Sequence, residues 1–162
     1  VFDADGDPGN GFQKVTFNGS LDIGSVPPFT VSRVAGNGLS LLNPTGNLAI
    51  GTLNAANSGG NGLRVEMPVG TDFNLSVAGG TIDTDGGDFA GVAISTDSTS
   101  SLCLNLTGMS VAGSGSANDI QLDQSGSSTL GITQALLTDL SNDNGGASVG
   151  TTGTVSFGCA IP

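Results

Sequence analysis

A short block recurs along this chain, and its spacing restricts the fold more than any other feature. Asn37-Gly38-Leu39-Ser40-Leu41 returns as Asn61-Gly62-Leu63-Arg64-Val65 and as Ala90-Gly91-Val92-Ala93-Ile94. It returns more loosely as Asn118-Asp119-Ile120-Gln121-Leu122. The anchors Leu39, Leu63, Val92 and Ile120 lie 24, 29 and 28 residues apart. A period of this size, carrying short alternating apolar runs, marks stacked coils rather than a core assembled from unrelated elements.

Each repeat divides into three short strands. The first is an apolar pair: Leu39/Leu41, Leu63/Val65, Val92/Ile94 and Ile120/Leu122. A polar turn follows, such as Asn43-Pro44-Thr45-Gly46 or Asp97-Ser98-Thr99-Ser100. The second strand is Leu48–Ile50, Phe73–Val77, Leu102–Leu106 or Leu130–Ile132. A third apolar touch comes at Leu53, Ile82 and Met109–Val111, before a Gly/Asn/Ser-rich corner. Alternation puts Leu102, Leu104 and Leu106 on one face and Cys103 and Asn105 on the other. The expectation is an all-β protein, a parallel β-helix or β-solenoid of triangular section. Equivalent side chains then stack ~4.8 Å apart, with Leu39, Leu63, Val92 and Ile120 as one interior column. A two-sheet β-sandwich of hairpins is the alternative, since strand length and turn density also suit it.

The chain reads as a single domain of 162 residues. Residues 1–28 hold less regular strands, the coils run over about 29–132, and a cap covers 133–162. Val15–Phe17 and Leu21–Ile23 are expected strands, with a corner at Pro27-Pro28. Phe29–Val31 followed by Val34 reads as a second strand and third touch. Past Ile132 the pattern breaks. Thr133–Leu140 reads as a short helix with Thr133 as N-cap, ended by Asn144-Gly145-Gly146 and followed by a strand with Val155 and Phe157 alternating. Such a cap is expected, because the open edge of a coil stack recruits other chains. Residues 1–20 are expected to pair with a neighbouring subunit by strand addition.

Composition removes several classes of function. The chain has no His, Trp or Tyr, so the commonest general base and transition-metal ligand is missing. Aromatic platforms for sugars or bases reduce to seven Phe. Lys14, Arg33 and Arg64 face fourteen acidic residues, for a net charge of −11. That balance argues against nucleic acid and anionic membrane surfaces as partners. No run approaches the ~20 apolar residues of a membrane span. Disorder does not fit the regular apolar pairs or the charged share of 10 %. The first residue is Val1, so the chain is expected to be a mature or excised segment. A Gly/Ser/Thr/Asn-rich, Lys-poor composition points to an extracellular location.

The phrases Asn61–Val65, Gly79–Thr84 and Ala117–Leu122 through Ser128-Thr129-Leu130 carry a resemblance. The chain resembles the right-handed parallel β-helix repeats of very large bacterial surface exoproteins and adhesins, over roughly residues 29–162. In that family the last coil often carries an Asn-Asp-Ile phrase. A variable helix-containing stretch follows, then a closing strand ending in Cys-x-x-Pro, as in Cys159-Ala160-Ile161-Pro162. The resemblance implies surface display, adhesion or spacing without catalysis. Partners would be further copies of the chain, other surface proteins or glycans. This chain is short for the family, which leaves open a fragment of a larger exoprotein or a subunit of a surface filament or fimbrium.

Four groups of residues are candidates for chemistry. Cys103 and Cys159 are the only cysteines; in an exported chain they suggest one disulfide tying the cap strand to the outer face of a late coil, with two free thiols as the alternative. Asp3, Asp5 and Asp7 alternate as calcium ligands do, although Pro8 and Lys14 stand where an EF-hand wants Gly and Glu. A solvated acidic segment explains them as well. Asn18, Asn74 and Asn105 head N-glycosylation sequons. Acidic pairs such as Asp119 with Asp123 suit a polysaccharide hydrolase, but without any sugar-stacking Trp or Tyr. The reading is therefore an adhesive or structural solenoid that is not an enzyme and needs no cofactor. A calcium-dependent carbohydrate-binding module is the alternative, and a polysaccharide-degrading β-helix stands behind it.

Overall fold

The computed structural model describes residues 23–26, 29–32, 36–84, 87–113, 115 and 118–162. Apolar residues at every second position make short strands, and Gly, Asn and Ser corners turn the chain by about a third of a coil each time. The first coil contributes β1 (Ile23–Val26) and β2 (Phe29–Ser32). The second contributes β3 (Leu39–Leu42), β4 (Gly46–Ile50) and β5 (Leu53–Ser58). The third has β6 (Leu63–Met67), β7 (Asp72–Val77) and β8 (Gly80–Thr84), and the fourth β9 (Val92–Thr96), β10 (Ser101–Leu106) and β11 (Met109–Ala112). The last turns hold β12 (Ile120–Gln124), β13 (Thr129–Ile132), α1 (Leu137–Asp143), β14 (Val149–Thr152) and β15 (Val155–Phe157).

Every described strand pairs in parallel with its equivalent one coil away. The result is three sheets, ordered β1-β4-β7-β10-β13-β15, β11-β8-β5-β2 and β14-β12-β9-β6-β3. This is a parallel β-helix of about four turns, 53 % strand and 6 % helix. Two facing antiparallel sheets are ruled out by the register. Leu39 sits beside Leu63, Leu63 beside Val92, and Val92 beside Ile120, so the sequence period is a column in space.

The interior is a set of such columns, all buried: Leu41, Val65, Ile94 and Leu122 from the five-stranded sheet, and Leu48, Leu75, Leu104 and Ile132 from the six-stranded one. Ala55, Ile82 and Val111 form the column of the four-stranded sheet. The glycine of the repeat exists because of this last column. A Cβ at Gly62 would overlap the Cγ2 methyl of Ile82, and one at Gly91 would lie 2.6 Å from Cγ1 of Val111. In the coils that carry this column the corner therefore closes only around a residue without a side chain.

The two ends of the chain differ from the sequence-based expectation in three places. Phe29–Ser32 is a third strand, not a second, because Phe29 registers with Leu53 and Val31 with Ala55. The second-strand position belongs to β1, whose ladder shifts between Ile23 and Val26 and so lacks simple alternation. The helix starts at Leu137, and Leu136 takes the N-cap place with no side-chain cap bond. Thr133 instead continues an outer ladder, donating its hydroxyl to Asn105 Oδ1 at 2.8 Å. Val149–Thr152 forms a further strand that pairs with β12. Val15–Phe17, Leu21 and the rest of the expected strand-adding segment 1–20 lie outside the described residues.

Helix α1 occupies the place where the four-stranded sheet would add a strand above β11. Gly108 N–H donates to Asp143 O at 2.7 Å. Asn144, fully buried, donates through Nδ2 to Leu106 O at 2.9 Å and Leu140 O at 2.7 Å. Gln134 Nε2 reaches the same Leu106 O at 2.9 Å. Leu140 and Ala147 then cover the end of the apolar columns. These bonds give partners to carbonyls at the stack end, where an unpaired buried group costs about 1–3 kcal/mol.

Candidate functional site

The outward positions of the five-stranded sheet alternate in size from coil to coil. On β6 they are Arg64 and Glu66, on β9 Ala93 and Ser95, and on β12 Gln121 and Asp123, in register across the three strands. Long side chains flank short ones, so an open trough of about 310 Å³ follows β9. Asn61, Arg64, Glu66, Ala93, Ser95 and Asp123 line it.

Each wall is internally paired. Arg64 Nη2 meets Glu66 Oε1 at 2.6 Å, two residues along the same strand face. Opposite, Gln121 Nε2 donates to Asp123 Oδ1 at 2.7 Å, while Gln121 Oε1 accepts from Asn118 Nδ2 at 3.0 Å. At the corner the buried Asn61 donates Nδ2 to Ala90 O at 2.8 Å, and its N–H donates to Asn37 Oδ1 at 2.9 Å. Among the described residues Arg64 is the sole basic side chain. Its partner bond is with a half-exposed carboxylate, 41 % against 37 % exposure, and such pairs contribute at most about 1 kcal/mol. The ion pair therefore adds little to the stability of the coil and leaves both charged groups open to solvent.

Apart from Asp123, the described sequence-predicted residues fall elsewhere. Cys103 and Cys159 form a disulfide with Cα atoms 5.9 Å apart. It crosses the outer face of the six-stranded sheet over Gly131, whose added Cβ would lie 3.0 Å from Cys159 Cβ and 3.1 Å from its Sγ. Asn74 and Asn105 lie on that same outer face, half-buried in polar ladders. Asn74 Nδ2 donates to Asn47 Oδ1 at 2.6 Å, and Asn105 Nδ2 to Ser76 Oγ at 3.2 Å. Each sequon amide thus gives one of its two N–H groups to a ladder. Asp3, Asp5, Asp7 and Asn18 lie outside the described residues. Among the described residues no three His, Cys, Asp or Glu side chains gather to hold a metal ion.

The structure separates Asp119 from Asp123. Asp123 stands on the trough wall, whereas Asp119 takes the register of the corner glycines and serves as a clamp. It accepts from Gly113 N–H, Ser148 N–H and the Ser148 hydroxyl, each at 2.8 Å. Partial burial works to raise its pKa, but those three donors outweigh it and leave the carboxyl below its ordinary range.

Of the trough's candidate groups only Asp123 was singled out from sequence, as a partner of Asp119 and not of Arg64, Glu66 and Ser95. The parts of the trough come from three different coils, and the signal that finds them is the outward position of each aligned repeat. No family model, curated protein or solved structure matches the chain.

Proposed function

We propose that this chain is an extracellular structural and adhesive β-solenoid, serving as a surface adhesin module or a filament subunit and not as an enzyme. The observation that carries this reading is the use of its outer faces. The six-stranded sheet bears the Asn47–Asn74 and Ser76–Asn105–Thr133 ladders, and the four-stranded sheet aligns Thr30, Asn54, Thr81 and Ser110. Repeated neutral donors and acceptors on a rigid rod make a contact surface of low charge, suited to many weak parallel contacts. The disulfide over the last coils fits an oxidising compartment outside the cytosol. The polar, acidic surface keeps such a rod soluble.

Electron microscopy and sedimentation of the oxidised chain, with a binding assay on immobilised glycans and cell-surface protein, test the proposal. Linear assemblies or surface retention are the expected result. A monodisperse monomer retained by neither surface, or turnover of a polysaccharide, overturns it.

A further inference from the structure

We infer that the trough along β9 binds a neutral, hydroxyl-rich glycan chain, an inference that rests on the adhesive reading and gives it a ligand. Width decides first. Its walls stand two strands apart, about 10 Å at twice the usual strand spacing. That is too narrow to seat a helix, which spans about 10–12 Å with its side chains. Backbone chemistry decides second. Strand β9 is paired on both sides, with β6 and β12, so no free N–H or C=O on the floor can add a peptide strand.

Charge decides third. The trough carries one guanidinium and two carboxylates in a chain of net charge −11, a field that repels anionic sugars. One wall nonetheless offers a donor beside an acceptor, Arg64 with Glu66, and the other the Asp123 carboxylate, held from behind by Gln121 Nε2. A carboxylate held by one neighbour keeps lone pairs for hydroxyl donors. The guanidinium keeps N–H groups for ring and hydroxyl oxygens. The floor adds the Ala93 methyl for the C–H face of a sugar and the Ser95 hydroxyl beside it. At about 310 Å³ the site lies at the small end of ligand pockets, roughly 300–1,000 Å³. It grips a short stretch of chain, without an aromatic platform, and gains strength from repetition along an assembly.

The test is an amide-resolved NMR titration of the oxidised chain with neutral hexasaccharides of glucose, mannose and galactose, beside dextran sulfate and hexalysine. The expected result is saturable shifts clustered at Arg64, Ala93, Ser95 and Asp123 with at least one neutral sugar. Ser95→Arg, which fills the trough from an exposed position, weakens that binding at least tenfold while the spectrum stays dispersed. Asp123→Asn and Glu66→Gln keep the shape and weaken it several-fold, so the test stands even if Ser95→Arg fails to fold. Absence of trough shifts with every neutral sugar, tighter trough binding of dextran sulfate or hexalysine, or indifference to all three substitutions overturns the inference. A trough blind to sugars in a chain that assembles or adheres to surface protein counts against this inference alone. Sugar binding by a chain that stays monomeric in solution and is retained on no surface counts against the adhesive reading alone.

Discussion

Replacing Gly62 with Ala puts a methyl where the Ile82 Cγ2 methyl already lies. Ile82 cannot retreat: it is 1 % exposed, its β-branched side chain is stiff at χ1, and the Gly91 carbonyl stands 3.2 Å from the new carbon on another side. Over-packing of this kind costs about 1–3 kcal/mol. For a chain of this length that is roughly 2–4 °C of Tm per kcal/mol. Ile82→Ala alone opens a cavity and costs about 2–5 kcal/mol. It also removes the clashing methyl and leaves Cβ at 3.3 Å. The double variant should therefore lose less beyond Ile82→Ala than Gly62→Ala costs alone, a coupling of about 1–3 kcal/mol between two sites in contact. Gly79→Ala is the control, because its Cβ meets only Gly51 O at 3.6 Å and Gly108 O at 3.8 Å, and it should change stability by under about 1 kcal/mol. Urea unfolding of the four chains, disulfide intact, gives the comparison. Strict additivity, or Gly62→Ala as mild as Gly79→Ala, refutes the explanation of the repeat's glycine.

Replacing both cysteines with Ser should cost up to about 4 kcal/mol in the chain-entropy account; thermal melts with and without reductant check it, and Gly131→Ala, whose Cβ meets both Cys159 and Ser156 Oγ, should be more harmful while the bridge is present than after reduction. Asn144→Ala removes the buried donor to the Leu140 carbonyl and leaves Leu106 O with Gln134 Nε2 alone; the expected loss is about 1–3 kcal/mol, with faster hydrogen exchange at Gly108 and Leu140. The depressed pKa of Asp119 adds stability that is whole above the ordinary carboxylate range and disappears as pH falls through the lower folded value. Asp119→Asn should flatten that acid limb in unfolding measured between pH 2 and 6, and an unchanged limb would sink the clamp.

The columns of the solenoid were readable because an inward apolar pair recurs beside a fixed corner: Leu63 and Val65 announce their neighbours Val92 and Ile94 without any long-range information. The cap was readable in outline only. Thr133 has the chemistry of an N-cap, yet its hydroxyl gains more from extending the Asn105 ladder, so the helix waits until Leu137. Strand β14 carries a single apolar residue, Val149, beside Gly150 and two Thr, and takes its conformation from the finished edge of β12. The trough escaped notice because size, not polarity, defines it. Ala93 and Ser95 are unremarkable until Arg64 and Asp123 are laid on either side of them.

The strand spacing within each coil also shows where the period varies. Gly46 to Leu53, Phe73 to Gly80 and Leu102 to Met109 are all seven residues apart, and these positions are register partners of one another. From Leu53 to Leu63 the count is ten, from Gly80 to Val92 twelve, and from Met109 to Ile120 eleven. From Leu39 to Gly46 the count is seven, but from Leu63 to Phe73 and from Val92 to Leu102 it is ten. One edge of the prism is thus a spine of constant length, and the two edges that flank the five-stranded sheet absorb additions. Foreign segments spliced between Thr84 and Phe89 would hang from a tolerant edge without shifting a single rung, whereas one extra residue between Val77 and Gly80 would put β8 out of step with β5 and β11. A molecule built this way can change its decoration along one side indefinitely while its scaffold stays the same.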